Sequence, residues 1–217
     1  DVYRGEVEAE RHFFTYAAFI SFFPQLVAGP IERTSNLLPQ IKGEHTFHRE
    51  DAVYGLKLMA WGFFKKLVIA DNLAVYVDLV FDTPQDYPGF AMLLAAFFFT
   101  IQIYCDFSGY SDIAIGTAKL FDIRLMQNFN SPYFAASVKE FWSRWHISLS
   151  TWFRDYVYIP LGGNRVGKLR HCANLLVTFL VSGLWHGAAF TYIIWGGLHG
   201  MLQILENSIP LFRAHIR

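Results

Sequence analysis

The longest stretch without formal charge, residues 172–205, constrains this chain more than any other feature of its sequence. It contains no Asp, Glu, Lys or Arg, and about 20 predominantly apolar residues are enough for one helix to cross a bilayer. Glycines in its middle allow two crossings or one broken helix. Only 17% of the chain is charged and 53% is hydrophobic, whereas soluble domains carry about a quarter charged residues. The chain is therefore predicted to lie in a membrane.

Two more stretches lack formal charge, residues 12–31 and residues 87–105. The first is long enough to span a bilayer, although Pro24 and the Gly29-Pro30 pair should kink it and then end it. The second leads directly into the sequence DFSGYSDIAIG. Both are predicted to be membrane segments.

The sequence between these stretches is more polar. Residues 32–51 carry mixed charge and turn residues, which predicts a loop outside the membrane. Residues 52–81 indicate one spanning helix with polar ends or two shorter pieces. A cluster of Arg165, Lys168 and Arg170 indicates a cytoplasmic loop, because short loops rich in Lys and Arg stay inside. Together the patterns predict an all-α, polytopic helical membrane protein with about four or five apolar segments.

Charge and motifs exclude several function classes. The 18 basic and 18 acidic residues balance, so no excess of charge recruits nucleic acid. The sequence has no P-loop, no G-x-G-x-x-G and no G-x-S-x-G. Cys105 and Cys172 stand alone in apolar stretches, and His146, His186 and His199 match no short metal-ligand spacing. No metal site and no disulfide are predicted.

Ionisable groups at membrane depth cost about 3 kcal/mol on insertion scales and tend to survive where they line a cavity. Asp106 and Asp112 flank the sequence DFSGYSD. On a helix, position 112 points about 120° away from the face of position 106, so the two carboxylates are not expected to act as one acid/base pair. They either order a polar cavity or hold a neighbouring arginine, or they mark a helix end at the membrane interface.

A second polar cluster is the sequence FWSRWHISLSTWFRDYVYIP, residues 141–160. Side chains four residues apart stack on a helix, so a helix here would carry polar and aromatic groups on two adjacent faces. One face holds Trp142, His146, Ser150 and Arg154, and the next holds Arg144, Ser148, Trp152 and Tyr156. The segment is either the wall of a polar chamber or an amphipathic helix at the membrane interface, where tryptophan and arginine are common.

His186 lies midway along the longest uncharged stretch. An imidazole can act as a general base near neutral pH, and the small residues Gly183 and Gly187 leave room for a substrate or another backbone. The alternative is a core histidine that is bonded to a carbonyl group. That alternative is also our interpretation of His199, which lies near the end of the stretch.

Four sequence blocks together resemble one enzyme family. They are FFPQLVAGPIER, YCDFSGYSDIAIG, FWSRWHISLSTWFRDYVYIPLGGNR and GLWHGAAFTYIIWGGLHG, and they lie within residues 13–205. These blocks resemble the membrane-bound O-acyltransferases, MBOAT, and within them the bacterial alginate O-acetyltransferase branch most closely. The resemblance implies a helical membrane protein with a tunnel through its middle, in which an acyl group passes from a cytoplasmic thioester to a hydroxyl acceptor.

The resemblance also implies roles for particular residues. His186, within WHG, matches the near-invariant histidine of the family and is predicted to be the general base. His146, within RWHISLS, matches the second polar catalytic position. The residues expected to bind substrate or line the chamber are Arg144, Trp145, Ser148, Trp185, Gly187 and Asp106.

Substrates and location follow from the same resemblance. The expected donor is acetyl-CoA, with no permanently bound cofactor, and the expected acceptor is an exported, alginate-like polysaccharide of the cell surface. An extracytoplasmic acetylesterase-like protein is an expected partner, and the bacterial inner membrane is the expected location of this multi-pass protein. The alternatives are transfer of D-alanyl or another acyl group to teichoic acid or peptidoglycan, and a membrane transporter.

Members of the alginate branch are longer than this chain, with further helices at both ends. The resemblance therefore implies that residues 1–217 form a single catalytic membrane domain, incomplete at both ends, as the central fragment of a longer chain.

Overall fold

The regular structure of this chain is helical. The computed structural model describes residues 1–209, and within them no strand accompanies the helices beyond one isolated β bridge. In chain order the helices are α1 (Phe13–Ser21), α2 (Thr34–Lys42), α3 (Arg49–Phe63), α4 (Asp71–Asp82), α5 (Gly89–Leu120), α6 (Val138–Arg144), α7 (Ile147–Phe153), α8 (Lys168–His186) and α9 (Phe190–Ser208). The predicted all-α class is confirmed.

The chain divides into two compact units, Asp1–Gln127 and Asn128–Arg217. We refer to them as the first and the second unit. The prediction of one catalytic domain over residues 1–217 stays a prediction, and its last residues, 210–217, lie outside the described part of the chain.

The first unit is built around α5, which packs against α3. Glycines let the two backbones approach, as is common between helices in membranes. A Cβ atom added at Gly62 would lie 2.6 Å from the carbonyl oxygen of Gly109, and one added at Gly116 would lie 2.5 Å from the carbonyl oxygen of Gly55. These two crossings hold α3 and α5 in direct backbone contact.

Residues 52–81, for which one helix or two pieces were predicted, lie in one continuous helical run. A π-helical turn, Phe64–Ala70, joins α3 to α4 without a loop. Two consecutive lysines of this turn pair with carboxylates of α5. Lys65 Nζ lies 2.7 Å from Asp112 Oδ2, and Lys66 Nζ lies 3.1 Å from Asp106 Oδ2. The π turn therefore brings neighbouring cations to the same partner helix.

The position of Asp106 and Asp112 corrects one expectation. Both lie inside α5, which continues to Leu120, so they do not mark a helix end. Their cationic partners are lysines and not an arginine. Gly109 between them does not interrupt the helix because it is the point of contact with Gly62.

Two expectations for the N-terminal region were also wrong. Residues 12–31 do not form one spanning helix, because α1 ends at Ser21 and a 3-10 turn with Pro24 follows at Phe23–Gln25. The expected loop 32–51 contains α2. Among the described residues, α5 is the one helix that is long and apolar enough to cross a membrane by length and composition.

The second unit contains the uncharged stretch 172–205, which folds as two helices. Helices α8 and α9 are separated at Gly187 and pack closely through glycines. A Cβ atom at Gly183 would lie 2.2 Å from the carbonyl oxygen of Tyr192, and one at Gly196 would lie 2.3 Å from that of Phe179. At the far end of α9, Glu206 accepts hydrogen bonds from the backbone N–H groups that open α6.

Candidate active site

The predicted single helix over residues 141–160 is broken at His146, which corrects the two-face arrangement expected for it. Helix α6 ends at Arg144 and α7 begins at Ile147. His146 has φ 43° and ψ 55°, in the left-handed region, where histidine, asparagine and aspartate occur more often than most residues. The side chains before and after this position therefore do not continue one helical face.

A short segment beside the break fixes its backbone. The N–H of Asn130 donates to the carbonyl of Arg144 at 2.9 Å, and the N–H of Ile147 donates to the carbonyl of Asn128 at 3.0 Å. Between them, Phe129 and Trp145 form the isolated antiparallel bridge. His146 is thus held within a paired segment, and only 7% of its surface is exposed.

Burial keeps His146 neutral. It lies between α6 and α7, which have seven residues each and are too short to span a bilayer. Loss of solvent lowers the pKa of His146 to about 3, with a further contribution from the charge of His186. Burial disfavours the charged form of a base, and a like charge acts in the same direction.

His186 is the last residue of α8 and is exposed. Its Nδ1 lies 2.7 Å from the carbonyl oxygen of Ser182, one turn earlier. A carbonyl oxygen can only accept, so Nδ1 carries the proton in this hydrogen bond. In neutral imidazole the other nitrogen, Nε2, then holds a free lone pair. The bond to Ser182 thus selects the tautomer that a general base needs.

Aromatic rings surround both His186 and His199. The ring centroid of His186 lies 5.0 Å from that of Trp185 and 5.2 Å from that of Trp195. Trp195 also contacts His199 at 5.0 Å, and His199 contacts Trp142 at 5.1 Å. His199, interpreted as a core residue, lies within this aromatic cluster.

A cavity of about 550 Å³ lies within the second unit, between α6, α7, α8 and α9. Most of its lining surface is contributed by apolar atoms, with Trp142, Phe179 and Leu175 among its walls. Hydroxyl groups, one amide and two cationic side chains are interspersed, and an apolar surface with a few polar groups is the usual character of a small-molecule site. The polar residues of the lining are Lys139, Ser143, Ser150, Thr151, Arg154, Tyr158, Thr178, Ser182 and Gln203.

The predicted chamber residues of the α6–α7 region lie next to His146 but do not line this cavity. Arg144 forms an ion pair with Glu140 on its own helix. The ring of Trp145 stacks on that of Phe141, with centroids 5.5 Å apart. Ser148 is 0% exposed, and its hydroxyl donates to Asn128 Oδ1 at 2.6 Å.

The other three predicted chamber residues differ in their surroundings. Trp185 is 58% exposed and contacts His186. Gly187 follows His186, and a Cβ atom there would lie 2.4 Å from the ring of Tyr192. Asp106 belongs to the first unit, where it pairs with Lys66. Which of these residues touch a substrate stays a prediction.

The sequence analysis did not identify Asn128 or Trp195. It treated a carbonyl-bonded His186 and a catalytic His186 as alternatives. The Ser182 carbonyl could have been identified as the hydrogen-bond partner of His186, because in a helix it lies one turn before His186. The same bond that suggests a core residue also selects the tautomer of a base. Asn128 gave no signal in the sequence, since it contacts residues about 20 positions later through an irregular segment.

A model of the MBOAT, membrane-bound O-acyltransferase family matches residues 9–217. The chain belongs to this family. Its MBOAT match includes both histidines described above. Within the described residues, no group of three or more His, Cys, Asp or Glu side chains is arranged to hold a metal ion.

Curated MBOAT relatives include enzymes with different acyl groups. The chain is 49% identical over 212 residues to the probable alginate O-acetylase AlgI of Pseudomonas putida, which covers 97% of the chain and 43% of that protein. It is 47% identical to the peptidoglycan O-acetyltransferase of Helicobacter pylori, over 91% of the chain and 38% of that protein. It is 31% identical to the teichoic acid D-alanyltransferase of Bacillus subtilis, over 87% of the chain and 50% of that protein. The chain spans half or less of the length of these relatives.

Proposed function

We propose that this chain carries the catalytic histidines of a membrane-bound O-acetyltransferase that acts on an exported, alginate-like polysaccharide. The observation that carries the proposal is the hydrogen bond from His186 Nδ1 to the Ser182 carbonyl, 2.7 Å long. It leaves the Nε2 lone pair of a neutral imidazole for proton abstraction. The exposed position of His186 leaves that nitrogen open to a substrate.

In the proposed reaction, His186 Nε2 takes the proton of an acceptor hydroxyl while the hydroxyl oxygen attacks the carbonyl carbon of acetyl-CoA. The carbonyl π electrons move onto oxygen and form a tetrahedral oxyanion. The carbon–sulfur bond then breaks, and the CoA sulfur leaves with the proton that His186 had taken. A positioned histidine of this kind accelerates such a step by about 10² to 10⁴-fold.

His146 would act as a neutral partner in this chemistry. A pKa of about 3 leaves its imidazole unprotonated at physiological pH, so it cannot deliver a full positive charge. A neutral imidazole still carries one N–H donor, which can orient His186 or the acceptor, or donate to the developing oxyanion. Either role depends on the fixed backbone at the α6–α7 break.

The proposed donor and location follow from the family. Acetyl-CoA would reach the site from the cytoplasm, and the product would leave on a polymer outside the inner membrane, where an acetylesterase-like protein is the expected partner. A membrane-enclosed site would also suppress hydrolysis of the thioester by water. We place the protein in the inner membrane as a multi-pass protein on these grounds.

The identity of the acyl group rests on the relatives. Identity of 47–49% to proteins that are named O-acetylase or O-acetyltransferase, against 31% to a D-alanyltransferase, favours acetyl. Transfer of D-alanyl to teichoic acid is the alternative, and peptidoglycan is the alternative acceptor for acetyl. We expect these to differ in the thioester and polymer that the protein accepts, and not in the proposed role of His186.

The test uses the full-length parent protein in membrane vesicles. Acetyl-CoA labelled on the acetyl group is supplied, and label is followed into alginate and into peptidoglycan. His186→Ala is expected to lower transfer by about 10² to 10⁴-fold. His45→Ala is the matched control, because His45 is an exposed histidine of the first unit.

Three results would contradict the proposal in different ways. Full transfer by His186→Ala at matched expression would remove His186 as the base. Label in peptidoglycan but not in alginate would change the acceptor. Activity with a D-alanyl donor and none with acetyl-CoA would change the acyl group.

A further inference from the structure

Helix α7 begins without the side-chain cap that a helix normally receives from the residue before it. The first N–H groups of a helix have no partner within the helix, and the N-cap side chain usually accepts from one of them. The N-cap of α7 is His146, whose side chain makes no such hydrogen bond. The imidazole is therefore not used in capping.

Asn128 takes over this capping function from a distant position in the chain. Its Oδ1 accepts from the backbone N–H of Ser148 at 3.3 Å and from the Ser148 hydroxyl at 2.6 Å. Its carbonyl oxygen accepts from the N–H of Ile147 at 3.0 Å. The two residues that follow His146 are thus both anchored on one asparagine.

The contacts are buried, so they are costly to lose. Asn128 is 1% exposed and Ser148 is 0% exposed. A buried donor that loses its acceptor pays the full cost of its desolvation. His146 also keeps a left-handed backbone conformation, and such a conformation persists only where the surroundings enforce it. Asn128 supplies that enforcement on the C-terminal side of His146.

We propose that Asn128 is a positioning residue for His146: it caps α7 in place of the N-cap side chain and holds the left-handed backbone that places the imidazole. This inference rests on the proposed function, because it assigns a purpose to the fixed backbone at His146. It adds a residue that neither the motif nor the cavity identifies.

The test compares four forms of the full-length protein in membranes: wild type, Asn128→Ala, Asn128→Asp and Asn130→Ala. The aspartate keeps the acceptor oxygens, so it serves as the conservative variant. Asn130 is the matched control, because it is exposed and contributes its backbone N–H to the Arg144 carbonyl, which alanine retains.

Two measurements are made on each form. The first is steady-state acetyl transfer, in which Asn128→Ala is expected to lower kcat by about tenfold to a hundredfold with an unchanged KM for acetyl-CoA, as for a small misplacement of a catalytic group. The second is modification of His146 by diethyl pyrocarbonate, located by mass spectrometry. His146 should be protected in wild type, where it is 7% exposed, and modified in Asn128→Ala.

Asn130→Ala should resemble wild type in both measurements, and Asn128→Asp, which keeps the acceptor oxygens but buries a charge, should fall between wild type and Asn128→Ala. Wild-type kcat in Asn128→Ala, or unchanged protection of His146 in that variant, would overturn the inference. Absence of acetyl transfer by wild type would instead contradict the proposed function. The modification experiment would still decide whether Asn128 positions His146.

Discussion

Lys65 Nζ lies 2.7 Å from Asp112 Oδ2, and this ion pair links the π turn to the middle of α5. Lys65 is buried, and its ammonium also donates to Ser108 at 2.9 Å. A buried charge that loses its partner is strongly destabilising, typically by about 3–5 kcal/mol. Both groups therefore depend on each other.

We predict that Asp112→Asn destabilises the full-length protein by roughly 3 kcal/mol or more in detergent, because it leaves the Lys65 charge without its counterion. The double variant Asp112→Leu with Lys65→Met should lose less than Asp112→Asn alone, since it buries no charge. Thermal unfolding midpoints measure the difference. Lys57→Met on the exposed face of α3 is the control, and equal losses for the single and double variants would refute the prediction.

Two glycines near His186 should respond differently to alanine. A Cβ atom at Gly183 would meet the backbone of Tyr192 at 2.2 Å, which only a shift of a helix can relieve, whereas at Gly187 it would meet the ring of Tyr192 at 2.4 Å. The ring can move because Tyr192 is 43% exposed. We expect Gly183→Ala to cost about 1–3 kcal/mol, as overpacking does, and Gly187→Ala to cost less. Thermal unfolding of the two variants checks the order, and the reverse order would contradict this packing of α8 on α9.

The stability of the protein should depend on His146 in mild acid. Burial lowers the pKa of His146 from 6.5 to about 3, so between these values the unfolded chain binds a proton that the folded protein does not. Stability is unaffected by this group above pH 6.5 and falls below it, by about 1.4 kcal/mol per pH unit. His146→Asn, which suits the same backbone, should lose about 2 kcal/mol less than wild type between pH 7 and pH 5. Chemical unfolding at the two pH values tests this, and parallel pH profiles would contradict it.

Glu206 should stabilise the beginning of α6. Its Oε2 accepts from the N–H groups of Val138 and Lys139 at 2.8 and 3.2 Å, and a carboxylate at a helix N-terminus also interacts favourably with the helix dipole. Glu206→Ala is expected to cost about 1 kcal/mol, the usual value for a lost cap. Glu206→Gln should cost less because it keeps an acceptor. Unfolding of both variants measures the difference, and equal losses would assign the effect to charge alone.

The sequence could predict the elements that depend on composition and spacing. The uncharged stretch 172–205 indicated the helices that became α8 and α9, and Pro24 indicated a break in the first apolar run, where α1 ends at Ser21. The family blocks singled out both histidines, whose catalytic roles stay predictions. These signals are local, so they are readable from neighbouring residues.

Other features depend on contacts between distant residues, which spacing cannot reveal. The break at His146 is stabilised by Asn128 and Asn130, whose backbone pairing lies outside any periodic pattern. Gly109 marks a close crossing of α5 with Gly62, a contact that its neighbours in the sequence do not indicate. The carboxylates of α5 pair with lysines of the π turn. Periodicity does not predict this turn.

The backbone conformation at residue 146 also limits which side chains can occupy this position. With φ at 43°, a β-branched or bulky side chain would be a steric outlier, while histidine, asparagine, aspartate and glycine fit. Substitutions at residue 146 that keep the fold are therefore restricted to a few amino acids, most of which can form hydrogen bonds. The residue at this break is therefore expected to vary only among these few amino acids.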